Sequence, residues 1–512
     1  MDAARMYDRT KSTGEFVKVN PNGRLPILRL AALTAAALVL HGYHLGVEDG
    51  EIYIPAAKKL LHPDLYPFAT EFFLSHGRLS LFSPILAWTS KLTHMPMDWT
   101  LLAWYVVSLF ATILSCWLLA AECFTSPRAR WTAILVTTAV LTMPATNTGL
   151  LLVDPYLTAR SFSTPLTIFA LASFLGRRPV QVCAAILLTA AIHVQMSAYL
   201  LFLIAVMWLL DRRTTATRNQ VPVLASFVAV LPTGFQLSPA TGAYHEALYS
   251  RDYYFLSTWS WYHWLGMLAP LAILAWFSRG KLRGTLHGFS RISFALIPFG
   301  LLAIAAAALL CSSTSLEMFI RLQPLRAFHV ITLIFVLLLA GVMGEYLARD
   351  RPWVIAAVAI PLAAGMFVVG RQTYPNSPQI ELPSTTSSNP WVNTLLWVRQ
   401  NTPIDAVFAV DSRYFEDEVA DVHGFRAVSE RSALADYFKD GGVVSLFPGL
   451  ADEWKQMSNA TYGLNQFSAA RFRTLKEEYP EVTWTVIHGS APVGMTCPYQ
   501  QRGYSVCRLP SS

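Results

Sequence analysis

The sequence predicts an all-α polytopic membrane domain of about eleven transmembrane helices, followed by a small C-terminal α/β domain outside the membrane. Of the 512 residues, 54% are hydrophobic and 14% are charged, and the mean hydropathy is +0.40. This composition indicates that a bilayer is the main solvent. Apolar runs near the length that crosses a hydrocarbon core of about 30 Å recur from residue 25 to about residue 370. Beyond that point Pro, Ser, Asn and charged residues return.

The apolar runs divide the chain into four parts. These are a cytoplasmic segment at 1–24, a membrane domain at 25–370 with a large first outer loop at 46–98, a linker at 371–390, and a soluble extracytoplasmic α/β domain at 391–512. Transmembrane spans are expected at 25–45, 99–121, 131–147, 162–176, 179–193, 196–210, 219–237, 260–278, 292–311, 325–345 and 352–370.

Lysine and arginine residues set the predicted orientation. Their clusters fall mostly on alternate loops, which places the N-terminus in the cytoplasm and, after an odd number of spans, the C-terminal domain outside. We therefore expect a multi-pass membrane protein. Because these loop clusters account for the net charge of +7, no nucleic-acid partner is predicted.

Two apolar stretches of the first outer loop are expected to lie at the membrane surface rather than to cross it. IYIPAAKKLL begins at Ile52, and RLSLFSPILAWTSKL at 78–92 carries charges at both ends, so both are interpreted as amphipathic interfacial helices. Further on, 179–210 is too long for one helix, and we predict two short spans with a tight outer turn at His193.

The C-terminal domain shows alternating helical and strand patterns after a linker rich in Pro, Ser and Thr. WVNTLLWVRQN, ERSALADYFKD and SAARFRTLKEEY have helical periodicity, whereas AVFAV, VTWTVIHG and YSVCRL have strand character. Cys497 and Cys507 flank a short polar segment, and they are a candidate disulfide if this domain faces an oxidising compartment.

Three carboxylates directly after the first span are the leading candidates for chemistry. Glu48, Asp49 and Glu51 lie within VEDGE, and the single Gly between Asp49 and Glu51 would let both turn towards one cation or one acceptor hydroxyl. Such a pair can act as a general base beside a metal or a second acid. Alternatively, the three carboxylates cap the helix that begins near Ile52.

The second outer loop and the turn at His193 supply further candidates. Asp154 precedes Pro and fits a turn, or a contact with metal or substrate. Arg160 can face a phosphate or extend to lipid headgroups. His193 fits a hydrogen-bonded structural histidine or a substrate contact.

Two later outer loops combine cations with aromatic residues. His245 and Arg251 lie close to a group of Tyr and Trp residues, which fits an interfacial belt or a sugar-stacking surface. Arg321 and Arg326 bracket a Gln-Pro pair at the outer start of a span. Their position runs against the positive-inside tendency and favours an anion partner such as a lipid phosphate, with a structural ion pair as the alternative.

The acidic VEDGE motif after the first span, the two amphipathic segments and the outer C-terminal domain resemble the GT-C class of membrane glycosyltransferases. The resemblance implies a protein of the bacterial inner membrane, with a polyprenyl-phosphate sugar as donor and a glycan, lipid or protein of the envelope as acceptor. It also implies that Asp49 is the base, Glu51 its helper or a metal ligand, and Arg321 or Arg326 the phosphate contact.

The resemblance also suggests a bound divalent cation, Mg or Mn, with Asp49, Glu51 and Asp154 as its ligands. The second-loop acidic pair of metal-dependent members is here the single Asp154, however. The tail segments WVRQNTPIDAVFAV and GFRAVSERSALADYFKD resemble tail domains of uncharacterised bacterial membrane proteins, for which no activity is implied.

Three functional hypotheses follow from the sequence. The first is a membrane glycosyltransferase with a first-loop carboxylate as base. The second is a transporter or flippase of a lipid-linked or anionic solute, which would need polar residues near mid-membrane. The third is a non-catalytic envelope assembly protein. Because the chain has no Gly-rich nucleotide loop, no HExxH and no GxSxG motif, a nucleotide-driven pump or a soluble-type hydrolase is not predicted.

Overall fold

The computed structural model describes residues 26–212, 242–279, 287–348, 351, 353–383 and 387–509. In this part of the chain a bundle of apolar helices carries a layer of first-loop helices and a C-terminal α/β domain. The helices before the C-terminal domain are α1 (Ile27–His41), α2 (Gly50–Leu61), α3 (Glu71–Gly77), α4 (Phe82–Thr93), α5 (Met97–Cys123), α6 (Pro127–Ala139), α7 (Ala159–Leu175), α8 (Pro179–Ile192), α9 (Val194–Arg212), α10 (Gly242–Tyr249), α11 (Trp261–Arg279), α12 (His287–Leu310), α13 (Glu317–Ile320), α14 (Ala327–Val342) and α15 (Trp353–Thr373).

Every predicted span within the described residues overlaps a helix, whereas the span predicted at 219–237 lies outside them. Five helical stretches are long and apolar enough to cross a membrane: Met97–Cys123, Val194–Asp211, Gly288–Leu310, Thr314–Leu347 and Trp353–Thr373. Two shorter apolar helices are Ile27–His41 and Pro179–Ile192. These helices support a membrane protein, and the arrangement of eleven spans stays a prediction.

The bundle is held by one apolar core. Helix α7 packs against α5 and α8, α14 packs against α6, and α11 packs against α12. The core includes Leu109, Leu171 and Ile334, all of which are fully buried or nearly so. Helix α15 lies at the edge of the bundle against α6 and α1 and buries none of its described residues, as a lipid-facing helix does.

The first outer loop folds into three helices, of which only α4 matches the predicted interfacial character. On α4, Phe82 and Leu86 are buried while Trp88 and Leu92 are exposed. Helix α2 differs from the prediction because all of its residues from Gly50 to Lys58 are buried. Its apolar face meets α3, α4 and the C-terminal domain, so protein rather than lipid covers it.

The C-terminal domain is a mixed α/β layer. Its helices and strands are α16 (Pro390–Asn401), α17 (Phe425–Ser429), α18 (Lys439–Leu446), α19 (Ala451–Ala460), α20 (Ala469–Glu478), β1 (Val407–Ala409), β2 (Ser432–Ala433), β3 (Val482–His488), β4 (Thr496–Gln501) and β5 (Tyr504–Arg508). The strand order is β2-β1-β3-β5-β4, with β2, β1 and β3 parallel and β5 and β4 antiparallel.

Most of the element predictions for this domain are confirmed, and the disulfide is formed. The predicted strands correspond to β1, β3 and β5, and two of the three predicted helices correspond to α16 and α20. The sulfur atoms of Cys497 and Cys507 are bonded at 2.07 Å. The bond joins the neighbouring antiparallel strands β4 and β5.

The helix predicted for ERSALADYFKD is wrong. Its first half contains β2, whose Ser432 and Ala433 pair in parallel with β1, and α18 begins only at Lys439. The Ser432 hydroxyl also accepts the backbone N–H of Phe68 from the first outer loop at 3.1 Å. Pairing with a neighbouring strand has therefore outweighed the local helical pattern.

Part of the segment predicted as a linker pairs with the residues that follow α1. Ile380 forms a β-bridge with Tyr43, and His423 of the C-terminal domain forms one with Val47. The first outer loop and the C-terminal domain therefore lie on the same side of the helix bundle.

A buried carboxylate of this segment joins the two regions. Glu381 accepts the backbone N–H of Leu45 at 3.0 Å and contacts Nδ1 of His44 at 3.1 Å and Nε2 of His423 at 3.0 Å. Nδ1 of His423 faces the carbonyl oxygen of Ala420 at 2.9 Å. Since both ring nitrogens face acceptors, His423 is a doubly protonated imidazolium here.

The charges of this junction shift both pKa values. Burial acts to lower the pKa of His423, but Glu381 outweighs burial and raises the pKa above the ordinary 6.5. Burial acts to raise the pKa of Glu381, but His423 outweighs it and lowers the pKa from 4.5 to about 2. Each shift favours the charged form of its group.

Candidate functional site

A cavity of about 1890 Å³ lies between the helix bundle, the first outer loop and the C-terminal domain. Most of the candidate residues line it, which brings together side chains from distant parts of the chain. The candidates at the cavity are Glu48, Asp49, Asp154, Arg160, His193, Arg251, Arg321 and Arg326. Glu51 and His245 do not line it.

One wall of the cavity is apolar and opens towards the outside of the bundle. It is formed by side chains of α8, α9 and α12. Leu187, Phe202 and Leu302 line the cavity and yet are 41–49% exposed, so this wall continues onto the outer surface of the helices. On a protein set in a bilayer, such a wall can hold a hydrocarbon chain.

The opposite, polar end is organised by Arg160 in the first turn of α7. Its Nη2 donates to Asp49 Oδ2 at 3.0 Å and to Asp154 Oδ2 at 2.9 Å. The Asp154 carboxylate also accepts the hydroxyl of Thr158, the residue that precedes α7. Asp154 therefore fixes the start of α7 and orients Arg160 towards Asp49. Its contacts go beyond those of a turn residue.

Lys439 of the C-terminal domain reaches the other face of Asp49. Its Nζ lies 3.4 Å from Asp49 Oδ1 and forms an ion pair with the Glu48 carboxylate. Burial acts to raise the pKa of Asp49, but Lys439 and Arg160 outweigh it and hold the pKa well below its usual range. Asp49 is therefore ionised, with a cation beside each carboxylate oxygen.

The Asp49 side chain does not cap α2 through a hydrogen bond. Asp49 occupies the N-cap position of α2, but its side chain makes no capping hydrogen bond. Glu48 precedes it with φ of 51°, a left-handed conformation that is uncommon for a residue with a side chain and that often occurs at functional sites. The backbone here turns both carboxylates towards the cavity.

Glu51 is placed differently from the prediction. It is 1% exposed, and its two oxygens accept the backbone N–H groups of Arg426 and Ala427 at 3.0 Å each. Nε of Arg426 lies 3.2 Å from the same carboxylate. Burial raises the pKa of Glu51 to about 7, against the opposing effect of Arg426. Glu51 thus fixes α2 to α17, and it is not a neighbour of Asp49 in the cavity.

The predicted metal ligands do not form a site. Asp49 and Asp154 are joined through the Arg160 guanidinium, which occupies the place that a shared cation would need, and Glu51 faces the C-terminal domain. Among the residues that the structure describes, no group of three or more His, Cys, Asp or Glu side chains can hold a metal ion. The side chains present therefore do not fit a bound Mg or Mn ion.

Two arginines face the cavity without a carboxylate partner in the described part of the chain. Nε of Arg326 is buried and has no hydrogen-bond acceptor, and its guanidinium lies over the ring of Tyr253 at 5.8 Å. Nε and Nη2 of Arg251 are buried without an acceptor as well. Arg321 also lines the cavity. The buried guanidinium nitrogens of Arg251 and Arg326 can bind an anion.

The histidines differ in their positions. His193 lies at the predicted tight turn between α8 and α9 and lines the cavity. His245 lies outside it, pairs with Glu317 at 2.9 Å and stacks on Tyr249, so its contacts are structural. His76 was not predicted from the sequence. It lines the cavity with a buried Nδ1 that has no hydrogen-bond partner among the described residues, and burial lowers its pKa to about 4.

Lys439 and His76 are the main residues that sequence reasoning missed. Lys439 lies 390 residues after Asp49, in a segment predicted as the end of an ordinary helix. His76 is one histidine in an amphipathic segment. No local pattern marks either residue, because both reach the cavity through the packing of the first loop and the C-terminal domain.

The chain matches no protein-family model and no curated protein in sequence.

Proposed function

We propose that this protein is a GT-C-type membrane glycosyltransferase that moves a sugar from a polyprenyl-phosphate-linked donor to an extracytoplasmic acceptor. The acceptor is a glycan, a lipid or a protein of the bacterial envelope. The proposal includes the arrangement of about eleven spans, with the N-terminus in the cytoplasm and the C-terminal domain outside.

The observation that carries the proposal is the composition of the cavity. An apolar wall on α8, α9 and α12 continues into a polar end that holds the ionised Asp49 carboxylate. The same end holds Arg251 and Arg326, whose buried guanidinium nitrogens include some without an acceptor among the described residues. A lipid-linked sugar has the same sequence of parts, namely a hydrocarbon chain, a phosphate and a sugar. The phosphate would pair with Arg326, and the chain would lie along the apolar wall.

In the proposed reaction, the acceptor hydroxyl oxygen bonds to the anomeric carbon of the sugar while the bond from that carbon to the phosphate oxygen breaks. The acceptor proton goes to the Asp49 carboxylate, and the polyprenyl phosphate leaves with the bonding electron pair. A carboxylate with a low pKa is a weak base, so Lys439 has to move away from Oδ1 when the acceptor enters. Polyprenyl phosphate is a good leaving group, and Arg326 stabilises its charge.

The disulfide supports the proposed orientation. Structural disulfides persist in oxidising compartments such as the bacterial periplasm, and Cys497 and Cys507 are bonded in the C-terminal domain. The first outer loop packs against this domain, so the cavity between them would face the same compartment.

The test is sugar transfer by the purified protein in lipid nanodiscs, with radiolabelled polyprenyl-phosphate sugars and an envelope extract as acceptor. We expect Asp49→Asn to lower the transfer rate by about a hundredfold or more, within the range for loss of a general base. The matched control is Asp64→Asn, an exposed carboxylate of the same loop outside the cavity. Full activity of Asp49→Asn would refute the role of Asp49, and transfer from no donor by the unmodified protein would favour transport or assembly.

A further inference from the structure

A second group of aromatic and polar side chains lies at one end of the sheet in the C-terminal domain. In the strand order β2-β1-β3-β5-β4, the chain passes from β1 to β2 on one side and then crosses to β3 on the other side of β1. The direction of the connections therefore reverses at β1. In open sheets with parallel strands, ligands bind outside the carboxyl ends of the strands at such a point.

The residues that follow the three parallel strands meet at this end of the sheet. Asp411 and Arg413 follow β1. Tyr437 follows β2, and His488 is the last residue of β3. Asn465 joins two of these segments, because its Nδ2 donates to Asp411 Oδ2 at 3.3 Å and its Oδ1 accepts the backbone N–H of His488 at 2.8 Å. The carboxyl ends of the strands therefore form one surface.

Arg413 is held among three aromatic rings on this surface. Its Cζ atom lies 4.2 Å from the ring centroid of Tyr437, 5.5 Å from that of Tyr462 and 6.0 Å from that of Phe438. Tyr437 also packs against Trp454, so it supports the guanidinium from within the domain. Tyr462 is 63% exposed, which leaves much of its ring open to a ligand.

Polar groups beside these rings can bond hydroxyl groups. Nη1 of Arg413 donates to Glu416 at 2.9 Å, and a guanidinium has further N–H groups to donate. Asp411 accepts the backbone N–H of Arg413 and the amide of Asn465, and a carboxylate can accept about four hydrogen bonds. Because two carboxylates lie around one guanidinium, this surface disfavours an anionic ligand.

The same surface continues into the cavity. Phe438 lines the cavity, and Nζ of the next residue, Lys439, lies 3.4 Å from Asp49 Oδ1. Nζ of Lys439 also lies 5.7 Å from the ring centroid of Phe415, in the segment that follows β1. The contacts therefore form a row from Tyr462 to Asp49, which suits a chain of several units better than a single small molecule.

We propose that this surface binds the acceptor, and that the acceptor is an uncharged oligosaccharide. The inference rests on the proposed function in one respect, the identity of the ligand as the acceptor. The negative face of an aromatic ring attracts the C–H groups of a sugar ring, while arginine and carboxylate side chains bond the sugar hydroxyls. One sugar stacks on Tyr462, and the chain extends past Phe438 so that its end reaches Asp49.

The binding test needs no sugar donor. The full-length protein in phosphatidylcholine nanodiscs is titrated with the uncharged hexasaccharides cellohexaose, chitohexaose, maltohexaose and mannohexaose. Isothermal titration calorimetry gives the dissociation constants, with empty nanodiscs as the baseline. We expect at least one hexasaccharide to bind, and its monosaccharide to bind more weakly because it can contact only part of the row.

Two variants locate the binding on this surface. Tyr462→Ala and Arg413→Ala should each weaken the hexasaccharide about tenfold. The matched control is Tyr462→Phe, which keeps the aromatic ring and should keep most of the affinity. In the transfer assay with the bound hexasaccharide as acceptor, Tyr462→Ala should raise KM about tenfold, whereas Asp49→Asn should lower kcat.

Failure of all the named hexasaccharides to bind would overturn the inference, and so would an affinity that is unchanged in both Tyr462→Ala and Arg413→Ala. Sugar transfer to a lipid or a protein, by a protein that binds none of the hexasaccharides, would overturn it and leave the proposed reaction intact. Hexasaccharide binding that depends on Tyr462, without sugar transfer from any donor, would support the oligosaccharide site and refute the proposed reaction.

Discussion

Replacing Glu51 with Gln separates a structural carboxylate from a catalytic one. At pH 8, above its pKa of about 7, the Glu51 side chain is ionised and accepts two backbone N–H groups, those of Arg426 and Ala427. A Gln side chain has one oxygen, so it keeps one of these hydrogen bonds and turns an NH₂ group towards the other donor. Arg426 keeps its carboxylate neighbours Asp436 and Asp440 and is not left unpaired.

The expected cost follows from these contacts. One hydrogen bond to a charged acceptor is worth about 1.5–3 kcal/mol, and a buried N–H left without an acceptor costs about 1–3 kcal/mol. The two values do not add in full, because both describe the loss of the same hydrogen bond. We therefore expect the free energy of unfolding to fall by about 3 kcal/mol. The control Glu71→Gln removes an exposed ion pair with Arg78 and should change it by less than about 1 kcal/mol.

The assay is urea unfolding of the detergent-solubilised protein at pH 8, followed by tryptophan fluorescence. Sugar transfer and the binding of a radiolabelled polyprenyl phosphate probe are measured on the folded protein. Glu51→Gln should be less stable but should bind the probe as the unmodified protein does, because Glu51 lies outside the cavity. Unchanged stability together with lost sugar transfer would refute this reasoning and return Glu51 to the catalytic role predicted from the sequence.

Two further predictions concern the C-terminal domain. The raised pKa of His423 gives stability that is present below about pH 6.5 and lost as the pH rises, and the lowered pKa of Glu381 gives stability that is present above about pH 4.5 and lost as the pH falls. The unfolding temperature should therefore be highest between these two pH values, and it should vary less with pH in His423→Gln. An unchanged pH profile in that variant would contradict the ion pair between His423 and Glu381. Dithiothreitol should lower the unfolding temperature of the unmodified protein but not that of the Cys497→Ser, Cys507→Ser double variant, since closing a short loop stabilises by about 2–3 kcal/mol; equal sensitivity of the two proteins would exclude the bond.

The elements of this chain could be predicted largely because they depend on local patterns. Apolar runs locate the bundle helices, and alternation locates β1, β3 and β5. The prediction of a helix at 430–440 was wrong because Ser432 and Ala433 pair with the neighbouring strand β1, and no local pattern reveals this pairing. The prediction that α2 is an interfacial helix was wrong for a similar reason, because the C-terminal domain covers its apolar face.

The candidate site was predictable in its charges but not in its pairings. Asp49 and Arg326 could be selected because charged groups near a membrane are costly and few. The sequence could not indicate that Arg160 would bridge Asp49 and Asp154, or that Lys439 would come from 390 residues away. It also could not separate Asp49 from Glu51, whose side chains diverge because α2 presents one to the cavity and the other to α17.

The position of the donor in the cavity can be measured directly by electron cryomicroscopy of the protein in nanodiscs with a polyprenyl-linked sugar. The proposed function predicts phosphate density within about 3 Å of the Arg326 guanidinium. It also predicts a prenyl chain along α8, α9 and α12, and the sugar next to Asp49. A donor bound elsewhere, or a sugar that lies on the far side of the phosphate from Asp49, would contradict it.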